Sequence, residues 1–181
     1  MKAINKAWLL LGALALVPVL GPASYAQVNS NNATVTLTAN MVESLSVSAT
    51  PSAVNFTLAA SGTSTGSAPV VITTTWTLAK SRTSVKLYAY FASATALTDG
   101  ASDNIPAANV TGALNAGTAA AFNSATPFSA SGLTLFTQAI TASNDNSSHG
   151  PDSLVLAINT AGLALPAATY TGVLNIQAQA N

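Results

Sequence analysis

Residues 33–41 place Val35, Leu37, Ala39 and Met41 on one face of an extended chain, and Thr34, Thr36, Thr38 and Asn40 on the other. A period of two with β-branched residues predicts a strand. The pattern recurs over 45–49, where Pro51 ends it, and in a short run carrying Val54, Phe56 and Leu58. Residues 59–69, rich in Ser and Gly, read as a loop. The longest predicted strand, 70–78, turns Val70, Ile72, Trp76 and Leu78 inward and Val71, Thr73, Thr75 and Thr77 outward. Residues 84–91 follow, with Val85, Leu87, Ala89 and Phe91 opposite Lys86, Tyr88 and Tyr90. The short link 80–83 between these two runs predicts a hairpin.

Residues 92–131 are rich in Ala, Gly, Asn and Ser and read as a long excursion with one or two short strands, anchored by Ile105, Val110, Leu114, Phe122 and Phe128. A strand over 133–140 changes its apolar face between Leu135 and Phe136, the mark of a bulge. Residues 144–153 read as a polar turn. Leu154, Leu156 and Ile158 define the penultimate strand, and Tyr170, Leu174, Ile176 and Ala178 the last. No segment carries an apolar stripe at helical spacing, so the expected class is all-β, an antiparallel β-sandwich.

The start of the chain follows a different rule. Lys2 and Lys6 precede an apolar run over 8–20, Gly21 and Pro22 break it, and Ser24-Tyr25-Ala26 supplies small residues where a signal peptidase reads. The run is shorter than the roughly 20 apolar residues of a spanning helix, and no later stretch is apolar enough to span. The expected organisation is a signal peptide at 1–26, an N-terminal strand at 27–41 and a β-sandwich at 42–181. Such a protein is exported, through the periplasm, to the cell surface or the medium.

Composition narrows the function. Only 6% of residues are charged, with one His and no Cys. Beyond the leader the basic residues are Lys80, Arg82 and Lys86, against Glu43, Asp99, Asp103, Asp145 and Asp152. No basic cluster exists to bind nucleic acid. Most catalytic and metal sites need more titratable groups than this chain has, so neither enzyme activity nor a cofactor or metal is expected. The groups Asp99, Asp103 and Asn104, and Asn144, Asp145, Asn146 and Asp152, are oxygen-rich but lack the spacing of a dedicated calcium loop, and read as turns. His149, before Gly150 and Pro151, reads as a turn residue too. Tyr88 and Tyr90 share a strand face where rings could stack on a sugar. Asn32, Asn55, Asn109 and Asn146 begin N-x-S/T sequons. Without Cys, the fold must hold by packing and backbone hydrogen bonds alone.

Three blocks carry a family resemblance: TLTANMVESLSVSATPSAVNF (36–56), LTLFTQAIT (133–141) and LPAATYTGVLNIQAQ (165–179). In order and spacing they resemble the secreted domains of spore coat protein U type, which belong with the archaic chaperone–usher pilins. One departure stands out. The family commonly has a Cys where this chain has Leu45, paired with another near the end of the strand matching 70–78. Here Leu45 and Trp76 are expected to meet by apolar packing instead.

The resemblance implies an immunoglobulin-like, pilin-like sandwich lacking one strand, whose groove a neighbour's N-terminal extension fills by strand addition. The donor would be residues 27–41, inserting Val35, Leu37, Ala39 and Met41. The implied partners are further copies of the chain, a periplasmic chaperone and an usher. The same N-terminal segment reads equally as the first strand of a complete domain. In that case the protein would be a secreted binding module for a glycan or protein.

Overall fold

The computed structural model describes residues 28–122 and 133–181; the predicted leader, Gln27 and Phe128 lie outside them. The chain divides into two units, Met1–Ala39 and Asn40–Asn181. In the first, residues 28–39 form no strand, and Val35 and Leu37 are 81% and 89% exposed. The alternating run predicted as a strand therefore has no ladder, and Met41, at its end, is 81% exposed. A strand is stable only beside another backbone, and an apolar face alone does not supply one.

The second unit is all-β, with antiparallel pairing throughout. The first sheet has the order β1 (Ser44–Thr50), β3 (Val70–Thr77), β10 (Asn146–Asn159), β7 (Val110–Leu114), β8 (Ala120–Ala121), with β2 (Thr63–Thr65) also paired to β10. The second has the order β11 (Asn175–Ala180), β4 (Ser84–Tyr90), β9 (Leu133–Ala139). A small ribbon joins β5 (Thr95–Thr98) to β6 (Asn104–Pro106). The predicted alternation of β3 and β4 is what builds the core: Val70, Ile72 and Trp76 face Val85, Leu87 and Ala89, all buried. Leu154, Leu156 and Ile158 complete it from β10. Phe91 and Phe122 meet edge to face there, 5.6 Å between centroids.

Several expectations change. The link 80–83 is not a hairpin, because β3 and β4 lie in different sheets and never pair. Its length suits either connection, and the strands it joins bury facing sides of one core. Of the predicted turn 144–153, only Asn144 and Asp145 lie in a turn, and the rest is strand. Asn146 already pairs with Thr77, and β10 runs on through a bulge between His149 and Asp152, where Gly150 takes a positive φ of 104°. His149 is thus a strand residue. The described part of the excursion, 92–122, holds four short strands, β5 to β8, instead of one or two, and β2 lies in a predicted loop. The bulge at Leu135 is found: Leu87 pairs with Phe136 and Tyr88 with Thr134.

Leu45 pairs directly with Trp76, and both join a small cluster with Val85 and Ile140. Beside it, Glu43 ties the root of β1 to the link after β3. Its Oε1 accepts from the Ala79 N–H at 2.7 Å and from Arg82 Nε at 3.1 Å. Its Oε2 accepts from Arg82 Nη2 at 2.9 Å. These bonds, with the Arg82 bonds dominant, lower the Glu43 carboxyl from 4.5 to about 2. Because the folded value is depressed, the pair's contribution is full above pH 4.5 and is lost as pH falls through about 2. An NMR titration of the Glu43 side chain is expected to give that midpoint in the native protein, and a return toward 4.5 in Arg82→Gln.

Candidate functional site

Among the described residues, strand β1 pairs only with β3, and β11 only with β4. Each therefore has one open edge. Beyond Thr50 the chain continues extended over 51–58, and before Asn175 it approaches over 165–174, without a named strand in either stretch. A groove separates the two stretches. Its two lobes hold about 660 and 340 Å³, and Val54, Phe56, Leu97, Ile158 and Gly172 line both, so the lobes are continuous. Val70, Phe91, Val110 and Leu156 lie at the bottom of the smaller lobe, and Leu58, Leu165 and Tyr170 flank the larger. The groove opens directly on the core.

Its walls carry unused backbone groups. Asn55 donates its N–H to Ser67 Oγ at 3.1 Å and accepts from the Ser67 N–H at 2.8 Å. Successive residues of an extended chain aim their backbone groups to alternate sides. Those of Val54 and Phe56 consequently face the groove, and they make no hydrogen bond among the described residues. The opposite wall repeats the arrangement. Thr171 exchanges both backbone bonds with Thr98, each at 2.9 Å, while the backbone groups of Tyr170 and Gly172 have no partner among the described residues. Two facing rows of free N–H and C=O groups over an apolar floor form a seat for an extended chain.

Small residues shape both walls. A Cβ on Gly66 would lie 2.5 Å from Val54 Cγ1, so Gly66 lets the 51–58 wall lie close. A Cβ on Gly172 would lie 1.9 Å from the Ala96 carbonyl oxygen. Gly172→Ala is therefore expected to push the 165–174 wall off β5 and cost about 2 kcal/mol or more, read as a lowered urea midpoint. Tyr170, whose hydroxyl donates to the Pro166 carbonyl at 3.1 Å, has its pKa raised by burial first and then by Asp103 and Asp99.

The other singled-out residues fall elsewhere. Asp99 Oδ1 accepts from the N–H groups of Ala101 and Asp103, and so shapes its own turn. Asn144 caps a turn through Thr141, and its carbonyl accepts from Trp76 Nε1 at 2.8 Å. Among the described residues no group of three or more His, Asp or Glu side chains is placed to hold a metal. Tyr88 is 6% exposed, which denies it the sugar-stacking role, and Tyr90 donates to Gln177 Oε1 at 3.1 Å. Sequence reasoning missed the cluster around Asp152. This buried carboxylate meets His149 Nδ1 at 2.8 Å and accepts from Asn115 Nδ2 at 2.7 Å, while Phe136 stacks on the imidazole with 4.0 Å between centroids. The cluster ties β10 to β9 across the two sheets.

No family model matches the chain, and no curated protein or solved structure matches it either. No helix among the described residues is long and apolar enough to cross a membrane.

Proposed function

We propose that the protein is an exported structural subunit, pilin-like or coat-like, that assembles at the cell surface by strand addition. The observation that carries this reading is the groove between two open strand edges, with free backbone groups along both walls. The strand order supports an immunoglobulin-like sandwich short of one strand. In the seven-strand constant-type order, one sheet is A-B-E-D and the other C-F-G. Assigning β1, β3, β10 and β7 to A, B, E and D, and β4 and β11 to C and F, places β9 as an added strand on the other edge of C and leaves G without a counterpart among the described residues. Its place, beside F, is where the groove lies.

The chain also carries a segment suited to that place. Residues 33–41 alternate Val35, Leu37, Ala39 and Met41 with polar residues, are uncharged, and form no strand of their own. Their length matches the 51–58 wall. On this reading the apolar set enters the groove, and the backbone bonds both walls. A subunit with an open groove needs protection before assembly, which is the role of a periplasmic chaperone, with an usher for export. The near absence of charge fits an interaction made through backbone edges and shape.

The test is to purify the mature protein and examine it by electron microscopy and by SDS gel without boiling. Fibres and an SDS-resistant ladder are the expected result. A monodisperse monomer at every concentration would count against the reading.

A further inference from the structure

We propose that the Tyr170 hydroxyl is the positioning group of the groove: bonded to the Pro166 carbonyl, it fixes the course of the 165–174 wall, so that an arriving strand meets a preformed edge. The inference rests on the strand-addition reading and names the residue that readies its acceptor side. Among the described residues, 164–170 make no backbone–backbone hydrogen bond, and their one side-chain bond is the Tyr170 hydroxyl donating to Pro166 at 3.1 Å. Four residues fully extended span about 13 Å, which is beyond the reach of a tyrosine side chain. The bond therefore closes the bend that the chain makes at Ala167. Leu165 and the Tyr170 ring also pack against the core. Packing of that kind is non-directional, and the hydroxyl bond supplies the direction.

The bond works together with a clamp on the next residues. Thr171 is held to Thr98 by two backbone bonds, and Gly172 lies against the Ala96 carbonyl. Tyr170 stands between this clamp and the closed bend, and its backbone groups are among those an added strand would engage. Its place fits the tyrosine corner of immunoglobulin-like sandwiches, in which a Tyr near the start of strand F bonds back to the chain a few residues upstream. Here the strand that follows is β11, assigned to F, and the acceptor lies four residues upstream. Burial, and then Asp103 and Asp99, raise the phenol pKa, so the hydroxyl keeps the proton it donates. An edge ordered in advance spares the arriving strand that entropy cost. Releasing the backbone of even one wall residue lowers the ready fraction, and with it the apparent affinity, about tenfold.

Tyr170→Phe in the full chain keeps the ring and removes the bond. It is expected to raise the subunit concentration at which fibres form by about tenfold, read by sedimentation. Tyr90→Phe is the control. It also loses one hydroxyl bond, to Gln177 Oε1, but Tyr90 lines neither lobe of the groove, and the assembly concentration is expected to stay unchanged. Ala168→Gly, which loosens the same bend with the hydroxyl in place, is expected to shift assembly in the same direction as Tyr170→Phe. Urea unfolding below the assembly concentration measures what the hydroxyl does for the fold alone. A lowered urea midpoint for Tyr170→Phe with an unchanged assembly concentration would overturn the positioning role while leaving strand addition standing, as would equal shifts in assembly for Tyr170→Phe and Tyr90→Phe. Absence of fibres from the native chain as well would overturn both.

Discussion

Deleting residues 28–41 is expected to convert an assembling subunit into a folded monomer. The expected loss is complete: no fibres, no SDS-resistant ladder, and an unchanged domain by far-UV circular dichroism. The magnitude follows from burial. Val35 and Leu37 are more than four-fifths exposed in the single subunit, as is Met41. Burying such a side chain yields about 1.5–3 kcal/mol, to which the backbone bonds along both groove walls add. Leu37→Asp would place a carboxylate on the apolar face of the segment, and the cost of desolvating it opposes insertion into an apolar groove. It is expected to weaken assembly at least a hundredfold in subunit concentration, read by sedimentation. The deleted domain keeps its groove, so a synthetic peptide of residues 33–41 is expected to bind it. A deletion mutant that still polymerises would show that the contact lies elsewhere.

The largest effect on stability is expected at Trp76. In a chain without cysteine, Trp76 fills the junction of β1, β3 and β4 together with Leu45, Val85 and Ile140, and is 3% exposed. Its indole N–H is also satisfied, by the Asn144 carbonyl. Trp76→Ala removes the apolar contact and leaves a cavity, and is expected to cost about 3–5 kcal/mol. Trp76→Phe keeps most of the volume but orphans the Asn144 carbonyl, and is expected to cost about 1–2 kcal/mol. Urea unfolding of the monomeric deletion variant measures both without interference from assembly. Equal and small losses for the two would mean that the junction is not held by packing.

The strands with strict alternation and bulky residues were legible in the sequence. Val70, Ile72 and Trp76 on β3, and Val85, Leu87 and Ala89 on β4, face the core as their period dictates. Which sheet each strand joins was not legible. A link as short as 80–83 serves a hairpin or a crossing between sheets, and periodicity does not distinguish them. The Asn146–Asp152 stretch misled because Gly150 and Pro151 usually mark turns, whereas here they form a bulge inside a long strand. The short strands β5 to β8 carry few apolar residues, and β5 with β6 and β7 with β8 pair locally, while β7 also depends on β10 far along the chain. The groove illustrates the same limit. Val54, Phe56 and Leu58 announce an extended segment with one apolar face, and they do pack inward. That nothing pairs with the backbone of Val54 and Phe56 is a property of the whole topology. The Leu45 and Trp76 contact was expected from the family resemblance, in which a cysteine commonly stands where this chain has Leu45, and the two residues do pair.

The most direct test of the account is amide hydrogen exchange at Val54, Phe56, Tyr170 and Gly172, compared between the assembled protein and the monomeric variant lacking residues 28–41. Strand addition predicts fast exchange at all four in the monomer and slowing by at least a hundredfold on assembly, with Asn55 and Thr171 protected in both. Equal exchange at the four positions in monomer and assembly would contradict it.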